Sequence, residues 1–558
     1  MVPLALLPLL LACSLLAAAS PTSDSPSRHH EGHLVGLSPP PAQAQTESRQ
    51  PRILILGAGV AGIIAARTLS SQGFTNYLLV EAQPEIGGRL KSGQIGGHTV
   101  EFGANWIQGL DATTVNPILR LAVKHGLQSV NNDIYGSITT YDDNGLADYS
   151  DAIDAADDAF YSIVAGAGAQ LDERGPDLSV KVLLAHGKLP PSPLSSPTTK
   201  DQDSPIISQW DFEYAQTPSQ SSWLATAWNN NLTYNLFGED NLLSVDQRGF
   251  KYFIQAEAAT FLQPDQIVYN ATVSSVDWSN SSATHDTSSS GSSIASANGM
   301  PAASADDMSD ASPVTVTLAN GTTLAADYVI CTFSLGVMQN DDVDWVPRLP
   351  DWKREAVAAF TMTTYTKVFV QFAGDERFWF DTEMALYASP TRGRYPIWQS
   401  LDVPADHEPQ FLPGSRTLFA TIVGDNALDI SSLSGASEVD VQEDLTEILQ
   451  DMFPNTTLPD FDILYHDWAA DPLFRGSYSN FPPSWDPDLH QNLRSSVGQG
   501  RLRWAGEAGS AAWFGFLHGA YADGEAVALE LIDCIQRGGV CEDNNVPRPQ
   551  GPLAPARP

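Results

Sequence analysis

Three glycines and an acid supply the first chemistry legible in this chain. Gly57, Gly59 and Gly62 stand in the run GAGVAG, and Glu81 follows 19 residues beyond the last of them. In a GxGxxG turn the first glycine allows the tight bend and the second lets backbone N–H groups approach a pyrophosphate. The third lets helix pack closely on strand. An acid at the distance of Glu81 accepts hydrogen bonds from a ribose. Ile86-Gly87-Gly88-Arg89 adds a second glycine turn with an arginine that can reach the same phosphates. Farther along, Lys367 sits in the alternating apolar run TYTKVFVQF, on one face with Tyr365 and Phe369. A lone strand lysine is ordinarily a solvated surface group, but these neighbours suit a buried, functional one.

These groups need particular elements to position them. Ile53-Leu54-Ile55-Leu56 reads as a strand buried on both faces. Apolar residues at Ile63, Ala66 and Leu69 predict a helix, and Tyr77 to Val80 a second strand ending at Glu81. That is a βαβ unit with the pyrophosphate turn opening its helix, and the positive helix end faces the phosphates. Helices are expected at 116–125, 148–171, 252–261, 437–452 and 518–535, and strands at 267–269, 273–278, 314–318, 328–332 and 364–372. Residues 189–205 read as a loop. The aromatic-rich stretch from Trp210 to Trp228 is too irregular to predict a regular element.

The chain has 558 residues, 42% of them hydrophobic, enough for two domains with real cores. Met1 to Ser20 is an apolar core followed by small residues, which predicts a secretory signal peptide and an extracellular protein. No other stretch reaches transmembrane length, so stable membrane association is not expected. Five glycosylation sequons, at Asn231, Asn270, Asn280, Asn320 and Asn455, agree with export. Cys534 and Cys541 are close enough to pair, and a disulfide is predicted there, while Cys331 in an apolar strand reads as a core thiol. With neither CxxC nor a Cys/His cluster, no metal is expected. Net charge is −37. Two readings stand side by side: solubility in an acidic medium, and attraction of cationic substrates. Either disfavours nucleic acid as a partner.

The second glycine turn, which an NAD dehydrogenase does not need, together with Glu101-Phe102-Gly103-Ala104-Asn105-Trp106, resembles the FAD-dependent amine oxidase family. Asp246-Gln247-Arg248-Gly249, Ser334-Leu335-Gly336-Val337, Leu349-Pro350-Asp351-Trp352-Lys353, Gly476 to Asn480, and Gly506-Glu507 with His518-Gly519-Ala520-Tyr521 extend the likeness from about residue 51 to 541. They are similar to plant-type extracellular polyamine oxidases. The resemblance implies an α/β fold in which a Rossmann-type (GR2-like) FAD domain is interleaved with an α+β substrate domain. After the signal (1–20) and a disordered lead (21–50), FAD-domain segments are expected at 51–130, 241–345 and 465–541. Substrate-domain segments are expected at 131–240 and 346–464, with a disordered insertion at 280–313 and a disordered tail at 542–558.

What the resemblance implies about residues follows motif by motif. Lys367 would hold a water against the flavin, Tyr478 and Phe516 would frame the amine, and Trp468 would pack at the ring. Gly57, Gly59, Gly62, Glu81, Gly87, Gly88, Arg89, Gly103, Ala104, Asn105, Trp106, Val273 and Glu507 would hold FAD. Ser477 replaces the cysteine that attaches the flavin in monoamine oxidases, so FAD should be non-covalent. Glu213 and Tyr365 would bind the cationic amine; Gln108 stands where plant polyamine oxidases have a second acid, and Phe516 where many relatives have tyrosine. The implied reaction oxidises spermidine, spermine or acetylated forms to imine and aldehyde, reducing O₂ to hydrogen peroxide. An L-amino-acid oxidase, a monoamine oxidase and a degenerate flavoprotein with a binding role are the alternatives. Oligomeric state is left open, with a monomer expected.

Overall fold

Ile53–Leu56 is apolar throughout because it runs between two parallel neighbours, Tyr77–Val80 and Tyr328–Cys331, with every residue buried. The computed structural model describes residues 50–546 apart from 111–113, 133–137, 173–176, 181–209, 283–312, 375–376, 406–409 and 485. The expected signal peptide, loop 189–205, nearly all of the lead and insertion, and residues 547–558 of the tail lie outside the described residues. Residues 542–546, expected to be disordered, are instead held to the body, where Asn492 exchanges two hydrogen bonds with the Val546 backbone and Asp543 accepts Gly500 N–H. Two outer strands, Ile267–Val268 and Leu502–Trp504, complete a five-stranded, wholly parallel sheet. Strands distant in sequence therefore lie side by side, as a doubly wound sheet demands. The fingerprint helix Val60–Ser71 packs on the last helix, Leu517–Gln536, within one apolar cluster.

Beside it, a seven-stranded sheet runs in the order 461–464, 365–372, 417–423, 397–400, 384–388, 138–142 and 145–146. Period-two alternation gives its second strand, Tyr365–Phe372, two different faces. Val368, Val370 and Phe372 pack beneath the amphipathic helix Glu438–Met452. Phe369 joins Phe102, Phe419 and Trp468 on the other side. Lys367 shares that second face and is 2% exposed. The strand is thus covered twice, and its lysine is enclosed.

Among the described residues there are four smaller sheets besides, and two of them carry Trp106, Gln108 and Tyr478. Trp106–Gln108 and Ser129–Asn132 flank Asn241–Ser244, and Thr361–Thr363 pairs with Tyr478–Asn480. The aromatic-rich stretch is more regular than its sequence suggests. Residues 210–214 are helical, and a helix runs Trp223–Phe237 behind the N-cap Ser222, whose hydroxyl accepts Ala225 N–H. Its apolar residues carry almost no one-sided bias because the helix is packed on several sides, and that erased the periodic signal. Among the described residues no helix is long and apolar enough to cross a membrane.

Candidate active site

The fingerprint closes on itself as its spacing requires. Gly57 turns at φ +108°, where a Cβ would meet Thr332 Oγ1 at 2.4 Å. A Cβ on Gly62 would sit 2.1 Å from the Gly57 carbonyl oxygen. No side chain caps the helix starting at Val60, and its first turn holds no acid. Those amides are left for an anion. Glu81, buried at its strand end, accepts N–H groups of Ala58 at 2.6 Å and Gln83 at 2.8 Å. The bonds lock the acid onto the glycine turn while each oxygen keeps a lone pair for a ribose. Burial raises its pKa, and the amides oppose that rise. A backbone bridge between Gly59 and Gly87 joins the two glycine turns.

Arg89 is anchored across the chain, donating one Nη1 to Ser477 O and to Glu507 Oε1, each at 2.9 Å. Glu507 in turn accepts the Ser479 hydroxyl at 2.6 Å and Gly515 N–H at 2.8 Å. Ser477 spends its own hydroxyl on Tyr365, giving to the carbonyl at 3.0 Å and taking from the N–H at 2.8 Å. The cation therefore sits between the fingerprint and the far end of the site, with charge to offer a diphosphate.

One cavity of about 550 Å³ runs from these turns to the lysine strand. Every site residue expected from the sequence lines it, save Gly62, which joins helix to strand, and the two cysteines. Cys534 and Cys541 form a disulfide that ties the end of the last helix to the chain beyond it.

Lys367 stands at the cavity wall with its donors already engaged. Nζ donates to Asn105 Oδ1 at 2.6 Å, Gly103 O at 2.8 Å and Glu101 O at 3.3 Å, and lies 4.7 Å over the Trp106 ring. All four partners belong to the Glu101–Trp106 segment, so this segment holds the lysine as well as lining the nucleotide path. Burial lowers the Lys367 pKa to about 7, although the Glu101 charge opposes the shift. The group therefore changes charge near neutrality.

Aromatic rings surround the approach to it. Trp106 meets Phe212 at 6.1 Å, Phe212 meets Tyr365 at 5.7 Å, and Tyr365 meets Tyr478 at 5.9 Å. Phe516 stacks on His518 at 4.9 Å, and burial drops that histidine's pKa to about 3, so it stays neutral. The Tyr478 hydroxyl donates to the Glu213 carbonyl at 3.1 Å. The Glu213 carboxyl has only a long contact, 3.5 Å, from the Tyr234 hydroxyl. Burial raises its pKa to about 7, slightly offset by that hydroxyl.

Phe212 and Asn229 also line the cavity, and sequence reasoning assigned neither a role. Phe212 stood in plain view inside Asp211-Phe212-Glu213-Tyr214. Asn229 belongs to the helix Trp223–Phe237, which grips the turn carrying Phe516. Asn229 Nδ2 donates to Phe514 O at 2.7 Å, Trp513 Nε1 to Leu232 O at 3.1 Å, and Thr233 meets His518 Nε2 at 3.2 Å. The i, i+4 spacing of Asn229, Thr233 and Phe237 was the available signal. Among the described residues no three His, Cys, Asp or Glu side chains gather to hold a metal.

The profile of the flavin containing amine oxidoreductases matches residues 60–532 of this chain. The chain belongs to that family. It is 32% identical to polyamine oxidase 7 of Oryza sativa subsp. japonica over 85% of this chain and 93% of that one. It is 29% identical to polyamine oxidase 1 of Zea mays over 87% and 91%. Its fold matches a solved putrescine oxidase, a double mutant from a redesign of cofactor binding, with a TM-score of 0.61 at 15% identity. That match covers 87% of this chain and 99% of the other. The flavin amine oxidase thus has the amine oxidase fold and is an FAD-dependent amine oxidoreductase. Its residues fit the cofactor: an uncapped helix start, two abutting glycine turns, a tethered acid and an anchored guanidinium face one continuous cavity.

Proposed function

We propose that this flavin amine oxidase is exported and oxidises polyamines, holding its FAD without a covalent bond. One observation carries the reading: Glu213, a carboxyl group with no cationic partner among the described residues, opens on a ring-walled cavity that ends at a buried lysine. A carboxylate so placed anchors a distal ammonium, and aromatic faces guide the amine while excluding water. The flavin, when bound, takes a hydride equivalent from the amine's α-carbon and passes the electrons to O₂, and the imine is hydrolysed to aldehyde and amine.

This chain's residues do the rest. Lys367 Nζ, depressed toward neutrality, repels a second cation and favours the unprotonated form of the reacting nitrogen. Its longest bond, to Glu101 O, is the one a water can displace. Tyr478 and Phe516 set the width of the approach, and Trp106 closes it beside the lysine. Ser477, with its hydroxyl tied to the Tyr365 backbone, offers no thiol for attachment. The net charge of −37 draws polycations toward the molecule. Export rests on the apolar leader, the disulfide and exposed sequons at Asn270, Asn280, Asn320 and Asn455. Asn231 is the poor acceptor, because its sequon Thr233 is buried against His518.

An amino-acid oxidase needs a cation to clamp the substrate carboxylate. The one arginine among the described lining residues, Arg89, is held by Glu507 and Ser477. A peroxide assay over spermidine, spermine, benzylamine and amino acids, with products identified by mass spectrometry, tests the proposal. Peroxide from benzylamine or amino acids but from neither polyamine overturns it.

A further inference from the structure

Charge along the cavity is more narrowly distributed than its acidic exterior suggests. Four acids line it among the described residues: Glu81, Glu213, Asp342 and Glu507. Glu81 is bonded to backbone amides at the nucleotide turn, Asp342 is paired with Arg475 at 2.7 Å, and Glu507 with Arg89 at 2.9 Å. Neither Glu81 nor Glu213 has a cation among the described residues, and of the two only Glu213 lies among the rings at the amine end. Lys367, at the inner end, supplies no carboxylate and changes charge near neutrality.

Gln108 lies two residues beyond Trp106 on the same strand, hence on the same face and about 7 Å along the strand from it. Gln108 lines the cavity, and its side-chain amide bonds to no protein group among the described residues. A second amide, Asn229, gives its Nδ2 to Phe514 O, which fixes its orientation and leaves Oδ1 as the polar atom not bonded to protein.

One carboxylate balances one ammonium. A free triamine brings the reacting nitrogen and two further nitrogens that are cationic at neutral pH, and the second of these would be desolvated against neutral amides. An uncompensated charge in such a place is strongly disfavoured. An amide group in that position instead finds both halves of its hydrogen bonding in Gln108, whose side chain donates and accepts. We infer that the cavity selects a polyamine carrying a single acyl group, with its remaining ammonium on Glu213 and its acylamide on Gln108. This inference rests on the polyamine reading above and narrows it.

The test compares kcat/KM for mono-N-acetylspermidine and spermidine at pH 8, with wild-type holoenzyme and with Gln108→Glu. Wild type is expected to favour the acetylated amine by about tenfold or more, since a site built around polar groups rejects ligands that mispair them. Gln108→Glu supplies the missing charge and should collapse or invert the ratio, and Asn229→Asp should move it the same way by less. Equal or better turnover of free spermidine by wild type overturns the inference and leaves polyamine oxidation standing. A flavin-loaded protein that yields no peroxide from either amine overturns both. The wild-type ratio alone decides the matter should the variants fail to fold.

Discussion

At the nucleotide end of the cavity, the pyrophosphate turn, the ribose acid and the arginine all come from residues 57–89. At the amine end, Trp106, Glu213, Lys367, Trp468, Tyr478 and Phe516 come from segments spread over residues 106–516. The first is a local device, a strand, a turn and a helix whose geometry follows from glycine spacing. The second exists only because ribbons, a seven-stranded sheet and the Trp223–Phe237 helix converge. The two ends also differ electrically. Arg89 meets a carboxylate at 2.9 Å, whereas Glu213 and Lys367 have no opposite charge within bonding distance among the described residues and are shifted toward pH 7 from either side. At the nucleotide end the arginine is charge-matched before ligand arrives; at the amine end an acid and a lysine are left unmatched among the described residues.

Substitutions at the two ends should separate along this line. Lys367→Met is expected to slow flavin reduction or reoxidation by about a hundredfold while the protein still binds flavin. Stopped-flow rates equal to wild type would remove the lysine from the chemistry. Gly62→Ala forces a Cβ into contact with the Gly57 carbonyl oxygen. Retained flavin, read as absorbance near 450 nm per protein, should fall about tenfold, with overpacking costing about 1–3 kcal/mol. If colour and melting temperature survive, the turn is looser than its geometry implies.

Glu213→Gln should raise KM for polyamine about tenfold with little change in kcat. Its carboxyl pKa is raised to about 7, so the charge that captures ammonium is present above that pH and lost as pH falls through it. The wild-type kcat/KM profile should therefore rise through neutrality toward alkaline pH, and the variant should lack that limb. Lys367 titrates in the same window and gains charge as pH falls, so a limb persisting in the variant would assign it to the lysine. Thr233→Val removes the bond to His518 and should cost about 1 kcal/mol of stability with a few-fold rise in KM. Cys534→Ser sharpens the contrast from outside the cavity. Opening this short loop should lower stability by about 2–3 kcal/mol on the chain-entropy account, visible in thermal unfolding, and leave amine kinetics unchanged.

The readability of each part follows from how it is built. The βαβ unit was found within a residue at each end, since Ile53–Leu56 and Tyr77–Val80 are apolar runs bounded by unmistakable turns. Lys367 could be placed on a buried strand from alternation alone. Its partners could not, because Glu101, Gly103 and Asn105 lie more than 260 residues away, and two of them meet it through backbone carbonyls, which leave no mark on residue type. Helix Trp223–Phe237 escaped for a related reason: packed on several sides, it shows no stripe.

Glycine positions, the acid after the second strand, and one lysine in an alternating run are matters of covalent order, and they alone determine that this chain binds a dinucleotide and carries a buried cation. Which acids pair with a cation, that Glu213 has none among the described residues, and that Gln108 lines the same cavity were decided by tertiary packing. A charge's partner and its exposure to water depend on distances in space, and linear order does not set those distances.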